Sequence, residues 1–598
     1  GTPSLTSGYE IFTARSSVDA MRSSYGNYIS AASYDYVYQE TGRTENLTAN
    51  FVATYAKRLG DHDFKVMGGS NLEKSEYKYY WAQRKGLLDP AKPELNLATG
   101  DQTTSSEHTW WSVAGFFGRI NYSYKDRYMV ELNGRYDGSS RFPSGNRFGF
   151  FPSMSAGYRI SEEPFMQSLK PYLSTLKIRG SWGMIGNQDV GPDRFVSTLK
   201  TAADSWIIDG KKVQSTQKPT IVSSTLTWEK VATLDLGLDA RFLDDALGVT
   251  FDWYNRTTSD ILTTANLPAT LGAAAPFENM GTIRTKGWEL AVDYRHTFNN
   301  GLHFGVTASI ADDKTEVTKW TYNTKIPTYA ATGWWDTSAY KEGMILGDIW
   351  GLQFDRFLTE ADFNADGSLK AGLPDQTQVF PAGYEFAPGD VLYKDLDKNG
   401  KIEKQTNTNE KGDLSIIGNA LPRMQFGLNL DASWKGFDVS MFFQGVAKRK
   451  LWAAGNQVLP GFTAGEPFYK GAEDYWTSEN PNAFYPRPMD YKQAQTGNFN
   501  VNDRYLLNMA YLRLKTFTVG YSLPKTWLSK YKVQGLRVYF TGENLFTIDG
   551  LKPAIDPEIG IRTAGTSSDA RNFGRSYPYQ KTVSFGIYVI RMIPGLLY

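Results

Sequence analysis

Strict alternation of apolar and polar residues is the feature of this sequence that most limits its fold. Between Arg423 and Trp434 the odd positions are polar or small, and the even positions carry Met424, Phe426, Leu428, Leu430, Ala432 and Trp434. Successive side chains of a β-strand point to opposite faces of a sheet, so the pattern predicts a strand with one apolar face. It resumes at Phe437 after Lys435 and Gly436, which predicts a hairpin with a two-residue turn.

The same pattern recurs along the chain. Alternating segments over 234–242 and 247–253, and over 288–298 and 302–310, predict two further hairpins. Roughly 15 to 17 strands are expected in total, and several exceed ten residues, which is enough to cross a bilayer at a tilt. Alternation alone would also fit a soluble sandwich or propeller.

The lengths of the connections separate these alternatives. Short turns near residues 125–126, 244–246, 299–301 and 435–436 alternate with long polar connections over 183–229, 258–284, 313–423, 446–508 and 544–581. This asymmetry is typical of a membrane barrel with periplasmic turns and extracellular loops. We therefore predict an all-β, transmembrane antiparallel β-barrel over residues 1–598, with residues 313–423 as a large extracellular insertion.

Composition excludes several functions. No apolar run approaches the roughly 20 residues of a membrane helix. The 64 basic and 63 acidic residues give a net charge of +1 and no basic block, so nucleic acid is not expected as a partner. The chain has no cysteine, no Walker loop, no H-E-x-x-H motif and no histidine near a G-x-S-x-G elbow. We therefore predict that the protein is not an enzyme.

A possible calcium site lies within the longest connection. Asp395, Asp397, Asn399 and Lys401 occupy alternate positions around Gly400, as at the start of a Ca²⁺-binding loop. Thr406 stands at the twelfth position, where the full motif requires a bidentate Glu. The segment that includes Asp362 and Asp366 repeats the arrangement. The alternative for both segments is a polar Asx turn without an ion.

Tryptophans in the long connections are candidates for substrate or partner contact, because aromatic faces stack on sugar rings and on peptide side chains. The leading candidates are the adjacent Trp334 and Trp335, followed by Trp206, Trp452 and Trp476. The alternative role for each of them is packing within an ordered loop.

Sequence blocks between about Tyr122 and Val589 resemble, in order, those of SusC/RagA proteins, the TonB-dependent importers of Bacteroidetes. The resemblance rests on the blocks RYDGSSRFPSGNRFGFFPS (Arg135–Ser153), LKIRGSWGMIGNQ (Leu176–Gln188), TWEKVATLDLGLDA (Thr227–Ala240), NMGTIRTKGWEL (Asn279–Leu290), YLRLKTFTVGYSLP (Tyr511–Pro524) and LRVYFTGENLF (Leu536–Phe546). Members of that family also carry a plug domain, a TonB-binding segment and earlier strands. We expect these parts to be absent from this sequence, as in a C-terminal barrel portion.

The resemblance implies an outer-membrane importer of oligosaccharides or oligopeptides. It implies a SusD-like surface lipoprotein that closes the barrel from outside, energy from the TonB complex, and a dimer of importer–lipoprotein pairs. Family frequency favours glycan over peptide as cargo. The alternatives are a passive porin-like channel, an outer-membrane enzyme and a surface glycan-binding β protein.

Overall fold

The computed structural model describes most of the chain. The described residues are 4–13, 17–23, 26–32, 35–86, 88–89, 92–199, 201–208, 210–216, 218–264, 270, 275–320, 340–404, 412–453, 455–462, 468–489, 497–531, 533–551, 555–558 and 579–591. Two compact units can be distinguished. The first comprises Gly1–Ala156, Trp182–Ala232 and Asp260–Asn279, and the second comprises Gly157–Ser181, Thr233–Ser259 and Met280–Tyr598.

Sixteen of the described strands belong to one sheet, in which neighbours follow the order of the chain. They are β1 (Ser4–Thr13), β4 (Asp35–Leu59), β5 (His62–Lys85), β6 (Gln102–Tyr124), β7 (Tyr128–Ser139), β8 (Phe148–Arg159), β9 (Leu173–Asn187), β12 (Glu229–Phe242), β13 (Leu247–Thr264), β14 (Phe277–Thr297), β15 (His303–Trp320), β20 (Arg423–Trp434), β21 (Phe437–Lys448), β24 (Tyr511–Ser522), β25 (Val533–Asp549) and β26 (Thr582–Arg591). This large sheet agrees with the predicted all-β fold.

The remaining described strands form small two-stranded sheets. The pairs are β2 (Ser17–Ser23) with β3 (Gly26–Ala32), β10 (Thr201–Ile208) with β11 (Lys211–Thr216), β16 (Asp348–Gly351) with β19 (Ser415–Asn419), β17 (Phe354–Phe357) with β18 (Val391–Tyr393), and β22 (Lys450–Leu451) with β23 (Leu507–Asn508). One short α-helix, α1 (Lys525–Leu528), precedes β25. The 3₁₀ turns among the described residues are Leu95–Leu97, Ser144–Asn146, Ile160–Glu162, Pro164–Leu169, Glu360–Asp362, Thr377–Val379, Lys470–Ala472 and Ser529–Tyr531. Within the described residues, no helix is long and apolar enough to span a membrane.

In the first unit, β4 to β7 form an antiparallel ladder of long strands. One face carries apolar side chains in rows that continue from strand to strand. Val66 on β5 lies opposite Ile120 on β6, which in turn lies opposite Leu132 on β7. All three side chains are exposed. A continuous exposed apolar surface of this kind marks contact with a membrane or a partner.

In the second unit, β14, β15, β20 and β21 show the face assignment that the alternation predicted. Leu430 lies opposite Val306 on one side and Met441 on the other, so apolar residues meet in one row. In the adjacent row, Asn429 is exposed and lies opposite Thr307 on one side and Phe442 on the other, so this row is polar up to β20 and gains one ring on β21. The predicted two faces of this segment are therefore confirmed.

The turn at Lys435 and Gly436 is a tight hairpin. Trp434 pairs with Phe437, and the two turn residues have φ of 49° and 89°. Positive φ at both central residues is the geometry of a type I′ turn, whose twist matches that of the flanking strands. The predicted two-residue connection is confirmed.

Several strands are longer than the alternation indicated. β15 continues to Trp320, although the polar connection was predicted to begin at Asp313. β9 and β13 likewise extend to Asn187 and Thr264. At the ends of β9 and β13 the adjacent apolar pairs Met184–Ile185 and Ile261–Leu262 put apolar side chains on both faces, which ends the alternation. In the β15 extension most side chains on both faces are polar, so the sequence pattern ends while the backbone hydrogen-bond ladder continues. Two-sided polarity is expected where a strand leaves the bilayer and meets water on both sides.

Replacing Leu428 by Arg should destabilise the protein far more than replacing Asn429 by Arg. The first change puts a charge in the apolar row and is expected to cost about 2 to 4 kcal/mol near the bilayer midplane, whereas the second lies in the polar row. The free energy of unfolding in lipid vesicles, followed by heat-dependent gel mobility, measures both variants. Equal costs would contradict the assignment of the two faces.

Candidate functional site

The two long connections of the second unit form a buried core of their own. They run from β15 to β20 and from β21 to β24. In one apolar cluster, Ile349 from the first connection packs with Trp452 and Phe499 from the second. In another, Val391 and other residues of the first connection surround Trp476 of the second. The two connections are therefore one folded assembly, which we call the loop assembly.

A buried carboxylate joins the two connections. Asp390 is fully buried and accepts hydrogen bonds from Arg487 Nε at 2.8 Å, the Tyr384 hydroxyl at 2.9 Å and Asn498 Nδ2 at 3.0 Å. A buried charge is tolerated only when it is paired and hydrogen-bonded in this way. No sequence motif marks these residues, and they were not among the predicted site residues.

Side-chain amides extend this junction along the backbone. Asn498 Oδ1 accepts a hydrogen bond from the Val391 amide at 2.7 Å, and Asn500 Nδ2 donates to the Val379 carbonyl at 2.7 Å. Asn498 and Asn500 are both buried. Buried backbone groups need such partners, so these amides fix the position of one connection against the other.

Two of the predicted contact tryptophans are packing residues. Trp452 has no exposed surface and Trp476 retains 9%, and each is part of an apolar cluster of the loop assembly. The structure gives both the alternative role, packing within an ordered loop, because an indole ring with so little exposed surface has no face to offer a ligand. The sequence around a tryptophan in a long connection does not show whether the ring contacts a ligand or packs within the loop.

The other tryptophans have different outcomes. Trp206 lies on β10 with 75% of its surface exposed and remains a candidate for contact. Trp334 and Trp335 lie outside the described residues.

The loop assembly also contains an aromatic cleft of about 390 Å³. Its lining combines exposed rings with prolines, and it includes Phe468, Tyr469, Tyr475, Pro486, Pro488 and Met489. Lys470, Glu473 and Arg487 add charge at the same cleft. Flat apolar walls with a few polar groups suit a ring-bearing ligand.

The predicted calcium loop brings oxygen ligands together. Carboxylate oxygens of Asp395, Asp397 and Asp413 all lie within 4.8 Å of one another and could hold a metal ion. Asp413 was not predicted, because it follows Asp395 by eighteen residues and joins it only through the fold. The pKa of Asp413 is raised, chiefly by burial, and the nearby negative charges of Asp397 and Asp395 raise it further. Hydrogen bonds from the backbone amides of Glu403 and Leu396 act in the opposite direction.

The turn within this loop is compact. Asp395 accepts a hydrogen bond from the Gly400 amide at 2.8 Å, and Asn399 Oδ1 accepts one from the Lys401 amide at 2.8 Å. Gly400 has a φ of 82°, which favours glycine. Thr406 lies outside the described residues.

The second predicted segment does not form a cation site. Both oxygens of Asp362 are bound by Arg356, at 2.6 and 2.7 Å, and one of them also accepts from the Thr359 amide at 2.8 Å. Asp366 Oδ1 instead accepts hydrogen bonds from the backbone amide and the hydroxyl of Ser368. This segment is the Asx-type turn that was the alternative.

The family of the chain follows from comparison with known proteins. A family model described as "TonB dependent receptor-like, beta-barrel" matches residues 4–386. The chain belongs to this family. The barrel is 27% identical over 558 residues to TonB-dependent receptor P3 of Formosa agariphila, covering 91% of the chain and 52% of that protein. It is 26% identical over 525 residues to TonB-dependent receptor SusC of Bacteroides thetaiotaomicron, covering 86% of the chain and 48% of that protein.

A solved structure shows the same fold. The chain aligns with the solved structure of the RagAB peptide transporter with a TM-score of 0.72 and 21% identity, covering 93% of this chain and 57% of that one. This likeness shows the fold. The barrel spans about half the length of the curated relatives it matches. The predicted resemblance and the all-β barrel fold are confirmed. The family is one of outer-membrane receptors and transporters rather than enzymes.

The pair of Asp362 and Arg356 should make the loop assembly acid-sensitive. Arg356 lowers the pKa of Asp362 from 3.8 to about 2, with burial opposing the shift and Thr359 adding to it. The pair therefore contributes fully to the stability of the folded loop assembly above pH 3.8, and this contribution is lost as pH falls through about 2. Hydrogen exchange of residues 354–370 between pH 5 and 2 should show the loss, and Asp362→Asn should abolish its pH dependence. An unchanged profile in that variant would contradict the assignment.

Proposed function

We propose that the protein imports oligosaccharides, or alternatively oligopeptides, across the outer membrane in a TonB-dependent manner. The observation that carries the proposal is the loop assembly, in which the two long connections share buried clusters and the Asp390 junction. A folded structure of this size provides a fixed surface for ligand and partner, whereas a passive pore needs none. Membership of the TonB-dependent receptor family supports the energy coupling.

We place the loop assembly on the extracellular side, because long connections of outer-membrane barrels lie there and short turns lie in the periplasm. On that side a SusD-like lipoprotein would close over the barrel, and two such pairs would form a dimer. The frequency of glycan cargo among the SusC/RagA proteins that the sequence resembles favours the oligosaccharide, and the peptide transporter named in the RagAB structure supports the alternative.

The proposal predicts that uptake depends on energy and on exposed loop aromatics. Cells expressing the full-length protein should take up labelled oligosaccharides, and loss of TonB should abolish uptake. Trp206→Ala should lower uptake by about three- to tenfold, because one stacking contact contributes this much to binding.

Trp527 provides the matched control. It is 63% exposed on α1, between β24 and β25, away from the long connections. Trp527→Ala should leave uptake unchanged. Uptake that persists without TonB would identify a passive channel. No uptake of either oligosaccharides or oligopeptides would overturn the importer proposal.

We also propose that Asp395, Asp397 and Asp413 bind Ca²⁺, with Asn399 and Lys401 in the same turn. Carboxylate and carbonyl oxygens are the ligands that this ion prefers. The mutual repulsion of three close carboxylates is relieved by a divalent cation. A bound ion would join residues 395–401 to the strand that begins at Ser415.

Removing calcium should therefore lower the thermal stability of the protein. Calorimetric titration should give one binding event that Asp397→Ala abolishes, while Asp366→Ala, in the comparable segment without the cluster, retains it. Equal calcium affinity in both variants would eliminate this site.

A further inference from the structure

The long strands of the first unit continue well beyond their apolar rows. On β5 the exposed Val66 and Leu72 lie in these rows, and the strand continues to Lys85. At about 3.3 Å per residue, the part after Leu72 adds roughly 40 Å. The short turn at Gly60 and Asp61 lies at the other end of the strand, so this part lies on the side that the proposed function places outside the cell.

Three aromatic side chains in this part of β5 lie on the face opposite the apolar rows. The register runs without a shift against both β4 and β6, so side chains alternate between the two faces throughout. Val66 and Leu72 belong to the apolar face, and Tyr77, Tyr79 and Trp81 therefore belong to the other. In a membrane barrel that face lines the interior.

These three residues, Tyr77, Tyr79 and Trp81, form an aromatic strip along β5. The ring centroids of Tyr77 and Tyr79 are 6.1 Å apart, and the two ring planes are within 14° of parallel. Trp81 continues the strip and packs against Tyr38 of β4, with centroids 5.6 Å apart. Gly42, opposite Tyr79, places no side chain beside the strip. The three rings are half-buried, so each keeps an accessible surface.

A carboxylate of β4 is held against the aromatic strip. Glu40 lies opposite Trp81 in the ladder. Its Oε2 accepts hydrogen bonds from the Tyr38 hydroxyl at 2.8 Å and from the Tyr79 hydroxyl. Both bonds end on the same oxygen, and among the described residues none donates to Oε1. This second oxygen is therefore an acceptor beside the rings, in a fixed position.

The charge along the aromatic strip is negative. Glu107 of β6 lies opposite Tyr79 and is exposed, so it adds a second carboxylate to the same face. In the rows from Tyr77 to Gln83, the described side chains of β4, β5 and β6 on this face include no lysine or arginine. The carboxylates of Glu40 and Glu107 are therefore not balanced within these rows.

One cation lies beyond the end of the aromatic strip. Trp111 occupies the row after that of Tyr77, and the Arg141 guanidinium packs over its ring at 5.0 Å. Arg141 Nη1 also donates to the carbonyls of Gln188 and Val190, at 3.3 and 2.9 Å. A sulfated or carboxylated sugar on the strip would therefore meet two carboxylates and a guanidinium that is already bound to the protein.

We propose that the aromatic strip binds an uncharged oligosaccharide during import. The flat rings stack on the apolar faces of sugar rings, and Glu40 Oε1 accepts a hydrogen bond from a sugar hydroxyl. The two carboxylates repel sulfated and uronic-acid chains. Rings that lie side by side along a strand form a platform, whereas a cationic group is held by rings that enclose it. The inference rests on the proposed import of oligosaccharides and adds their charge class.

Binding of the full-length protein in detergent to an array of neutral, sulfated and uronic-acid oligosaccharides and basic peptides tests the proposal. Neutral oligosaccharides should be retained. Trp81→Ala and Tyr77→Ala should each weaken this binding by about three- to tenfold, because each removes one stacking contact. The matched control is Tyr80→Ala, since Tyr80 is 53% exposed on the same strand but lies on the opposite face. This variant should bind as the unaltered protein does, and heat-dependent gel mobility verifies that each variant is folded.

Several results would overturn the proposal. Preferential retention of sulfated or uronic-acid chains would contradict the charge argument, and preferential retention of basic peptides would identify a cation site. Equal affinity in the Trp81, Tyr77 and Tyr80 variants would remove the strip from the binding site. Failure to retain any neutral oligosaccharide that cells import through the protein would do the same. In each case uptake by the unaltered protein would leave the importer proposal standing, whereas absent uptake would reject that proposal itself.

Discussion

The pairing of backbone groups between antiparallel strands is the constraint on which this structure depends. A bilayer offers no water to an N–H or C=O group, so each must find its partner in a neighbouring strand. The ladder from β4 to β7 pairs strands of 25, 24, 23 and 12 residues in continuous register. Because side chains alternate between faces, the same ladder lines up an apolar row such as Val66, Ile120 and Leu132.

The loop assembly is held by a different kind of interaction. Its residues lie outside the sheet, and burial of large apolar side chains such as Trp452 and Tyr505 replaces the ladder as the main source of stability. Burial requires that polar groups be paired, which Asp390, Arg487 and Asn498 achieve. The rigid sheet thereby carries a second folded structure, and this structure provides the surface on which the proposed ligand and partner contacts depend.

The face of each strand could be read from the sequence, but the ends of the strands could not. Alternation located β20 and β21 because apolar side chains at every second position are required where one face meets lipid. It failed beyond Asp312 on β15, where most side chains on both faces are polar, and beyond Trp253 on β13, where Ile261 and Leu262 put apolar side chains on both faces. The sequence could not separate contact from packing among the tryptophans either, since the composition of a connection does not distinguish an exposed tryptophan such as Trp206 from a buried one such as Trp452.

The sequence by itself determined local features. It showed which residues alternate between the two faces of a strand and where Lys435 and Gly436 turn the chain. It also showed that the side-chain oxygens of Asp395, Asp397 and Asn399 are close along the backbone. The order of the sequence blocks that resemble SusC/RagA proteins also indicated the family. Only the tertiary structure brought Asp413 to that turn and joined Asp390 to Arg487. The physical reason is that these contacts join residues far apart in the chain, and their partners are selected by packing and strand register rather than by any spacing along the sequence.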